Sequence, residues 1–115
     1  MKLDTVSHKR ALDPVAKDGR IGVITLATDI NIEQDLRRIY PASVEAFTSR
    51  VRNYNPLTIE NLRRMEPGIS AAADCILPGT QLDAMIYACT SGTVAIGVDR
   101  ITELVHQSCP GVPVT

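Results

Sequence analysis

The chain has 115 residues, 44% of them apolar, with 12 Lys and Arg against 13 Asp and Glu and a formal net charge of -1. That length suits one domain, and its core must be aliphatic because aromatics are only 3% and Trp is absent. The balanced charge gives no general field for nucleic acid or an anionic membrane, and no apolar run approaches the roughly 20 residues of a bilayer span.

Nothing interleaves basic and aromatic residues as a base-stacking surface would, so neither a nucleic-acid partner nor a membrane partner is expected. The odd set Cys75, Cys89 and Cys109 contains no CxxC pair, which reads as free thiols in a reduced, cytoplasmic protein. His8 and His106 lie far apart and away from any cysteine cluster, so no metal site is expected.

Residues 1–19 are polar and aperiodic and read as a leader or flexible tail ahead of a domain over 20–115. Ile21–Ala27 is a short β-branched run, the pattern of a strand buried on both faces. Thr28 and Asp29 are good N-cap types for a helix over Ile30–Tyr40, where Glu33 and Asp35 come early and Arg37 and Arg38 late. Pro41 ends it. Val44–Val51 reads as a second strand, followed by the turn cluster Asn53-Tyr54-Asn55-Pro56.

Thr58 is placed to cap a helix with Ile59, Leu62 and Met65 on one face, and Pro67-Gly68 should break or kink it. Helical structure should resume over Ile69–Leu77 until Pro78-Gly79 closes it. Leu82–Ala88 is the third expected strand. A single helix is then expected over Val94–Gln107, with Val94, Val98, Ile101 and Val105 as its apolar stripe and Leu104 beside it. Cys109-Pro110-Gly111 is a turn, and Val112–Thr115 resembles the start of a fourth strand. Alternation of this kind predicts an α/β fold, a flavodoxin-like parallel sheet flanked by helices, with ligands bound at the carboxyl ends of the strands.

Two strand ends carry polar chemistry: Thr28-Asp29, and Cys89 followed by Thr90, Ser91, Gly92 and Thr93. A cysteine between a strand end and a helix N-terminus meets unpaired backbone N–H groups that favour an anionic sulfur. The neighbouring hydroxyls and amides would cradle a carboxylate or an enolate oxygen. Cys89 taken alone reads more readily as a small buried hydrophobe; its neighbours reverse that and favour the reactive reading. Asp29 reads equally as an N-cap or as a substrate contact. Cys75 and Cys109 read as filler, the Arg63-Arg64 pair as solvent-facing, and His106 as a favourable charge at a helix C-terminus. Gly22 belongs to no GxGxxG fingerprint, and Thr90–Thr93 is no phosphate loop.

Taken together, Arg20-Ile21-Gly22-Val23-Ile24, Thr28-Asp29 and Ile32-Glu33-Gln34-Asp35 resemble the opening of the aspartate/glutamate racemase superfamily. The nearer branch holds maleate cis-trans isomerases, arylmalonate decarboxylases and ectoine-utilization proteins of the A type, and Leu26-Ala27-Thr28-Asp29 looks most like the last. Tyr87-Ala88-Cys89-Thr90-Ser91-Gly92 is similar to the first cysteine motif of the isomerases, and Pro110–Thr115 to the segment leading into the family's mid-chain helix.

The resemblance runs from about residue 20 to the end. It implies one half of a two-domain, racemase-type fold with the active site in the cleft between halves, one cysteine from each and no metal or organic cofactor. On that pattern Cys89 is the first-half cysteine, and Thr90 and Ser91 match positions that help hold a substrate carboxylate. Thr28 and Asp29 fall in the substrate-binding loop.

Asp29 departs from the asparagine usual in the isomerases, which points away from maleate and towards a zwitterionic or amine-bearing substrate. A cysteine at 89 argues against the decarboxylases, which use the other one. The resulting expectation is a cofactor-independent isomerase or racemase of a small carboxylic acid, working by proton abstraction or by thiolate attack on an alkene. Because the family is about twice this length, the chain reads as an N-terminal half. The rival expectations are an inactive half that pairs with another copy as a homo-oligomer, and a binding module for a small anion.

Overall fold

A computed structural model describes residues 15–115. The expected leader falls mostly on residues 1–14, outside the described part. Within it, β1 spans Gly19–Leu26 and pairs in parallel with β2, Val44–Val51, from Gly19 opposite Val44 to Leu26 opposite Val51. On its other side β1 pairs in parallel with β3, Ala84–Tyr87, and Ile24 lies opposite Tyr87. The order is β2-β1-β3. Residues 112–115 extend it past β3 by a single parallel bridge between Met85 and Val114, with Tyr87 N–H donating to the Thr115 carbonyl at 2.8 Å. The sheet is thus the parallel, helix-flanked α/β sheet that the alternation predicts.

The two faces are unequally dressed. Even-numbered Ile24 of β1, with Val51, Met85 and Tyr87, packs under the helices α3 (Glu66–Asp74) and α5 (Val98–His106). Met65, Ile69, Ala72, Ala73, Ile101, Leu104 and Val105 complete this aliphatic core. Each such large side chain contributes roughly 1.5–3 kcal/mol by burial. Among the described residues the helix on the opposite face, where Val23 and Thr25 of β1 are buried, is α1, Ile32–Ile39, which itself buries no residue and sits against β2.

What holds α1 is polar. Asp29 caps its first N–H groups, its first-turn acids and last-turn arginines complement the helix dipole, and Glu33 pairs with Arg50 of β2 at 2.6 Å.

Three boundaries differ from expectation for identifiable reasons. The helix begun at Thr58, whose hydroxyl accepts from Asn61 N–H, ends at Arg63 (α2, Ile59–Arg63). Pro67 then lies in the first turn of α3 and starts that helix, because a missing N–H costs nothing there. The expected single helix over 94–107 is instead two: α4, Thr90–Ile96, and α5. Gly97, at φ 100 and ψ 139, separates them. Val94 and Val98 therefore leave the apolar stripe and are 82% and 62% exposed, while Ile101, Leu104 and Val105 keep it.

Gly97 has open space around its α-carbon, so a side chain there would be opposed by backbone strain alone. Gly97→Ala is expected to lower stability by about 1–3 kcal/mol, read as a lower urea midpoint at unchanged slope.

Candidate functional site

Parallel pairing brings the ends of β1, β2 and β3 to one edge of the sheet. Beyond Leu26 lies Ala27-Thr28-Asp29, beyond Val51 lies Arg52-Asn53-Tyr54, and beyond Tyr87 lies Ala88-Cys89. The Ala88 N–H donates to the Ile24 carbonyl at 2.8 Å, so Cys89 begins where β1 and β3 part.

Cys89 is the N-cap of α4, in extended backbone at φ -149 and ψ 97. Its sulfur accepts the Gly92 N–H at 3.3 Å, and its carbonyl accepts both the Thr93 N–H and the Thr93 hydroxyl at 2.9 Å. The helix therefore starts four residues earlier than its apolar pattern indicates. Thr90 and Ser91 form its exposed first turn rather than a loop. Cys89 itself is half-buried against the core.

Gly92 is required by close approach. A β-carbon there would lie 2.8 Å from both the Tyr87 hydroxyl oxygen and Met65 Cε, and 3.0 Å from the Cys89 sulfur. Tyr87 is 5% exposed and its hydroxyl has no hydrogen-bond partner among the described residues. Burial, and then the adjacent Cys89 sulfur, push the phenol well above its ordinary range, so it stays protonated.

Thr90 and Ser91 line a shallow depression of about 370 Å³ together with Ile59, Leu62, Arg63 and Val94. Arg63, expected to face solvent idly, reaches from α2 to α4 and donates Nε–H to the Ala95 carbonyl at 3.1 Å. Arg63 is exposed and lines the depression with the two hydroxyls. Arg64 meets the solvent-facing expectation differently, stacked 3.9 Å from the centre of the Tyr54 ring.

Thr28 and Asp29 lie on the same edge but line a separate depression, of about 400 Å³. The Thr28 hydroxyl donates to Asn53 Oδ1 at 3.3 Å. The Asp29 carboxylate is fully engaged: Oδ1 accepts the N–H groups of Asn31 and Ile32 at 2.8 and 3.0 Å, and Oδ2 accepts the buried Thr25 hydroxyl at 2.9 Å. The bonds from Asn31 and Ile32, then Thr25 and the charge of Arg50, hold it below its ordinary 3.8.

The residue is therefore ionised at neutral pH and faces a cation. Arg50 also donates to the carbonyls of Leu26 and Asp29, at 2.9 and 2.7 Å. Since Thr25 belongs to the α1 face of β1 and Tyr87 to the core face, Asp29 and Cys89 lean towards opposite faces of the sheet.

The remaining titratable groups lie elsewhere. Cys75 caps the end of α3, and Cys109, in the turn after α5, is pushed up by burial and by Asp74. His106 bonds the Val112 carbonyl through Nε2 at 2.8 Å, so that nitrogen carries the proton. Among the described residues no three His, Cys, Asp or Glu side chains converge, and no helix is long and apolar enough to cross a membrane.

The residues missed from sequence differ in how findable they were. Tyr87 is two residues before Cys89 at the end of a strand, where side chains alternate, so it shares the cysteine's side. Arg63 left no signal, because its place depends on how α2 packs on α4.

Removing the Asp29 carboxylate should cost what a helix cap is worth. Asp29→Ala is expected to lower stability by about 1 kcal/mol at pH 7. A carboxyl depressed by folding contributes stability that is present above its unfolded value and lost as pH falls through the folded one. The gap between Asp29→Ala and the parent in urea titrations should therefore narrow as pH drops below 3.8.

No known family model matches the chain, and no curated protein sequence does. Among solved structures it is similar to the maleate isomerase Iso from Pseudomonas putida S16, with a TM-score of 0.60 at 21% identity over 84% of this chain and 44% of that one. A Cys-to-Ala variant of the same isomerase, with maleate, gives a TM-score of 0.60 at 22% identity over 84% of this chain and 43% of that one. The chain spans less than half the length of these structures. At such identity the likeness shows the fold: a parallel sheet flanked by helices, as in one half of a maleate isomerase.

Proposed function

We propose that residues 20–115 form one half of a two-domain, cofactor-independent isomerase or racemase of a small carboxylic acid, with Cys89 as its acid-base or nucleophilic thiol. The observation that carries this reading is the strand-to-helix corner itself. Cys89 offers a half-buried sulfur that accepts the Gly92 N–H, and it is followed directly by the exposed Thr90 and Ser91, with Arg63 in the same depression.

The chemistry follows from that arrangement. The two hydroxyls and the guanidinium would hold a substrate carboxylate, and the sulfur would take a proton from the adjacent carbon or add to an adjacent double bond. Racemisation, in which a proton leaves one face and returns to the other, requires a second group opposite the sulfur. Addition to a double bond, rotation and loss of the same sulfur needs the substrate enclosed but no second base. The similarity to less than half of each maleate isomerase structure supports a second half as the source of that group or enclosure.

Thr28 and Asp29 belong to the outer margin of the proposed cleft. The charge of Asp29 disfavours a second substrate carboxylate such as maleate's. Its oxygens are already taken by Asn31, Ile32 and Thr25, so it would act on a substrate through its charge and not as a direct amine partner. The proposed setting is cytoplasmic.

In the full two-domain protein, turnover can be followed by proton NMR in D2O, reading cis-trans conversion and α-proton exchange over maleate, small amino acids and N-acylated amino acids. Cys89→Ser is expected to cost about 10²-fold or more in rate. Equal turnover by Cys89→Ser and the parent would remove the cysteine from the mechanism, and with it the proposal.

A second reading, association of two copies, is favoured by exposed apolar side chains, of which Ile59 and Val94 line the same depression. Leu57, Ile59, Val94 and Val98 are 71%, 62%, 82% and 62% exposed. Four large aliphatic residues on neighbouring elements form the kind of patch that marks an interface. Sedimentation velocity should show a dimer for the parent and a monomer for Val94→Glu. A parent that sediments as a monomer across the micromolar range would rule out this association.

A further inference from the structure

We propose that Tyr87 is a positioning residue for Cys89, its hydroxyl donating a hydrogen bond to the cysteine sulfur when that sulfur is anionic. The inference rests on the reading of Cys89 as a reactive thiol and gives that thiol its second donor.

Three observations carry it. First, the Tyr87 hydroxyl is buried without a partner among the described residues. A buried donor left unmade is costly, and phenylalanine would fill the same space without that cost. An orphaned polar group in a core this aliphatic calls for an explanation, and an acceptor present in only one protonation state supplies one.

Second, the sulfur is at hand. The Tyr87 hydroxyl and the Cys89 sulfur lie 2.8 and 3.0 Å from a single point, the place a β-carbon on Gly92 would occupy. Glycine at 92 puts no side chain into the place they share, and the two atoms are not hydrogen-bonded in this structure. Third, the sulfur already accepts the Gly92 N–H at 3.3 Å. A thiolate has room for a second donor, and a hydrogen bond to an ion is about twice as strong as one between neutral groups. The hydroxyl can therefore stabilise the thiolate far more than the thiol.

Other charges around this corner are few. Helix α4 carries none. From α2 come Glu60 and Arg63, both exposed, and Arg63 is tied to the Ala95 carbonyl. From α3 comes Glu66, paired with Arg100 of α5 at 2.6 Å. None of them can replace a donor set beside the sulfur.

The test is the pH profile of iodoacetamide alkylation, resolved by peptide mass spectrometry so that Cys75 and Cys109 serve as internal references in the intact chain. Tyr87→Phe keeps the ring and removes one oxygen. The Cys89 midpoint is expected to rise by about one pH unit, and alkylation at pH 7 to slow about five- to tenfold. The profiles of Cys75 and Cys109 should not move.

Replacing the tyrosines with 3-fluorotyrosine, whose phenol is a stronger donor, should shift the Cys89 midpoint the other way. This arm also keeps the test open if Tyr87→Phe folds poorly. Tyr40 closes α1 and Tyr54 stacks on Arg64, so neither adjoins the sulfur. Superimposable Cys89 profiles for parent, phenylalanine and fluorotyrosine proteins would overturn the role of Tyr87 while leaving a reactive Cys89 intact. Loss of turnover in Cys89→Ser bears on the enzymatic reading alone, so the two failures are distinguishable.

Discussion

The last rung of the β1–β3 ladder, the bond from Ala88 N–H to the Ile24 carbonyl, governs the arrangement of the whole sheet edge. It sets Tyr87 opposite Ile24, sends the Tyr87 ring into the core and releases the chain one residue before Cys89. Because α4 starts at once, the sulfur is caught between the end of a strand and the first turn of a helix. A register shift of one residue would turn Tyr87 to the α1 face and strand the cysteine without its glycine neighbour.

The corner depends on a short contact that only glycine permits. Met65, Tyr87 and Cys89 all crowd the side of Gly92 from which a side chain would project. That crowding joins the site to the stability of the core, since Met65 is 1% exposed and packs among the helices of the dense face. The α1 face follows a different logic. Helix α1 buries no residue of its own, and polar contacts anchor it: Asp29 on the N–H groups at its start, Thr25 on Asp29, and Arg50 across to Glu33. The edge thus has a rigid, core-backed part around Cys89 and a hydrogen-bonded part around Asp29.

Much of this was legible in the sequence, for reasons that are local. Val44–Val51 is a strand as expected, and Thr58 caps its helix, because β-branched runs and side-chain caps act over a few residues. The alternation of strands and helices sufficed for a parallel α/β sheet. The same local rules placed Cys89 between a strand and a helix, and left Asp29 open between cap and contact. The N-cap is Asn31, two residues later than expected, and Asp29 still accepts the N–H groups of Asn31 and Ile32 at the start of the helix.

The rest was decided by contacts distant in sequence. The apolar spacing of Val94, Val98, Ile101 and Val105 is helical, yet the chain breaks at Gly97 and leaves the first two exposed, with α4 packing on α2 and α5 on α3. Arg63 reaches the Thr90-Ser91 depression from 27 positions away through the packing of α2 on α4. The sequence alone therefore determined the fold class and the chemical identity of Cys89 and its hydroxyl neighbours, since periodicity and residue type are properties of short segments. Tertiary structure alone decided which cation and which buried phenol stand beside them, since those neighbours are chosen by register and helix packing.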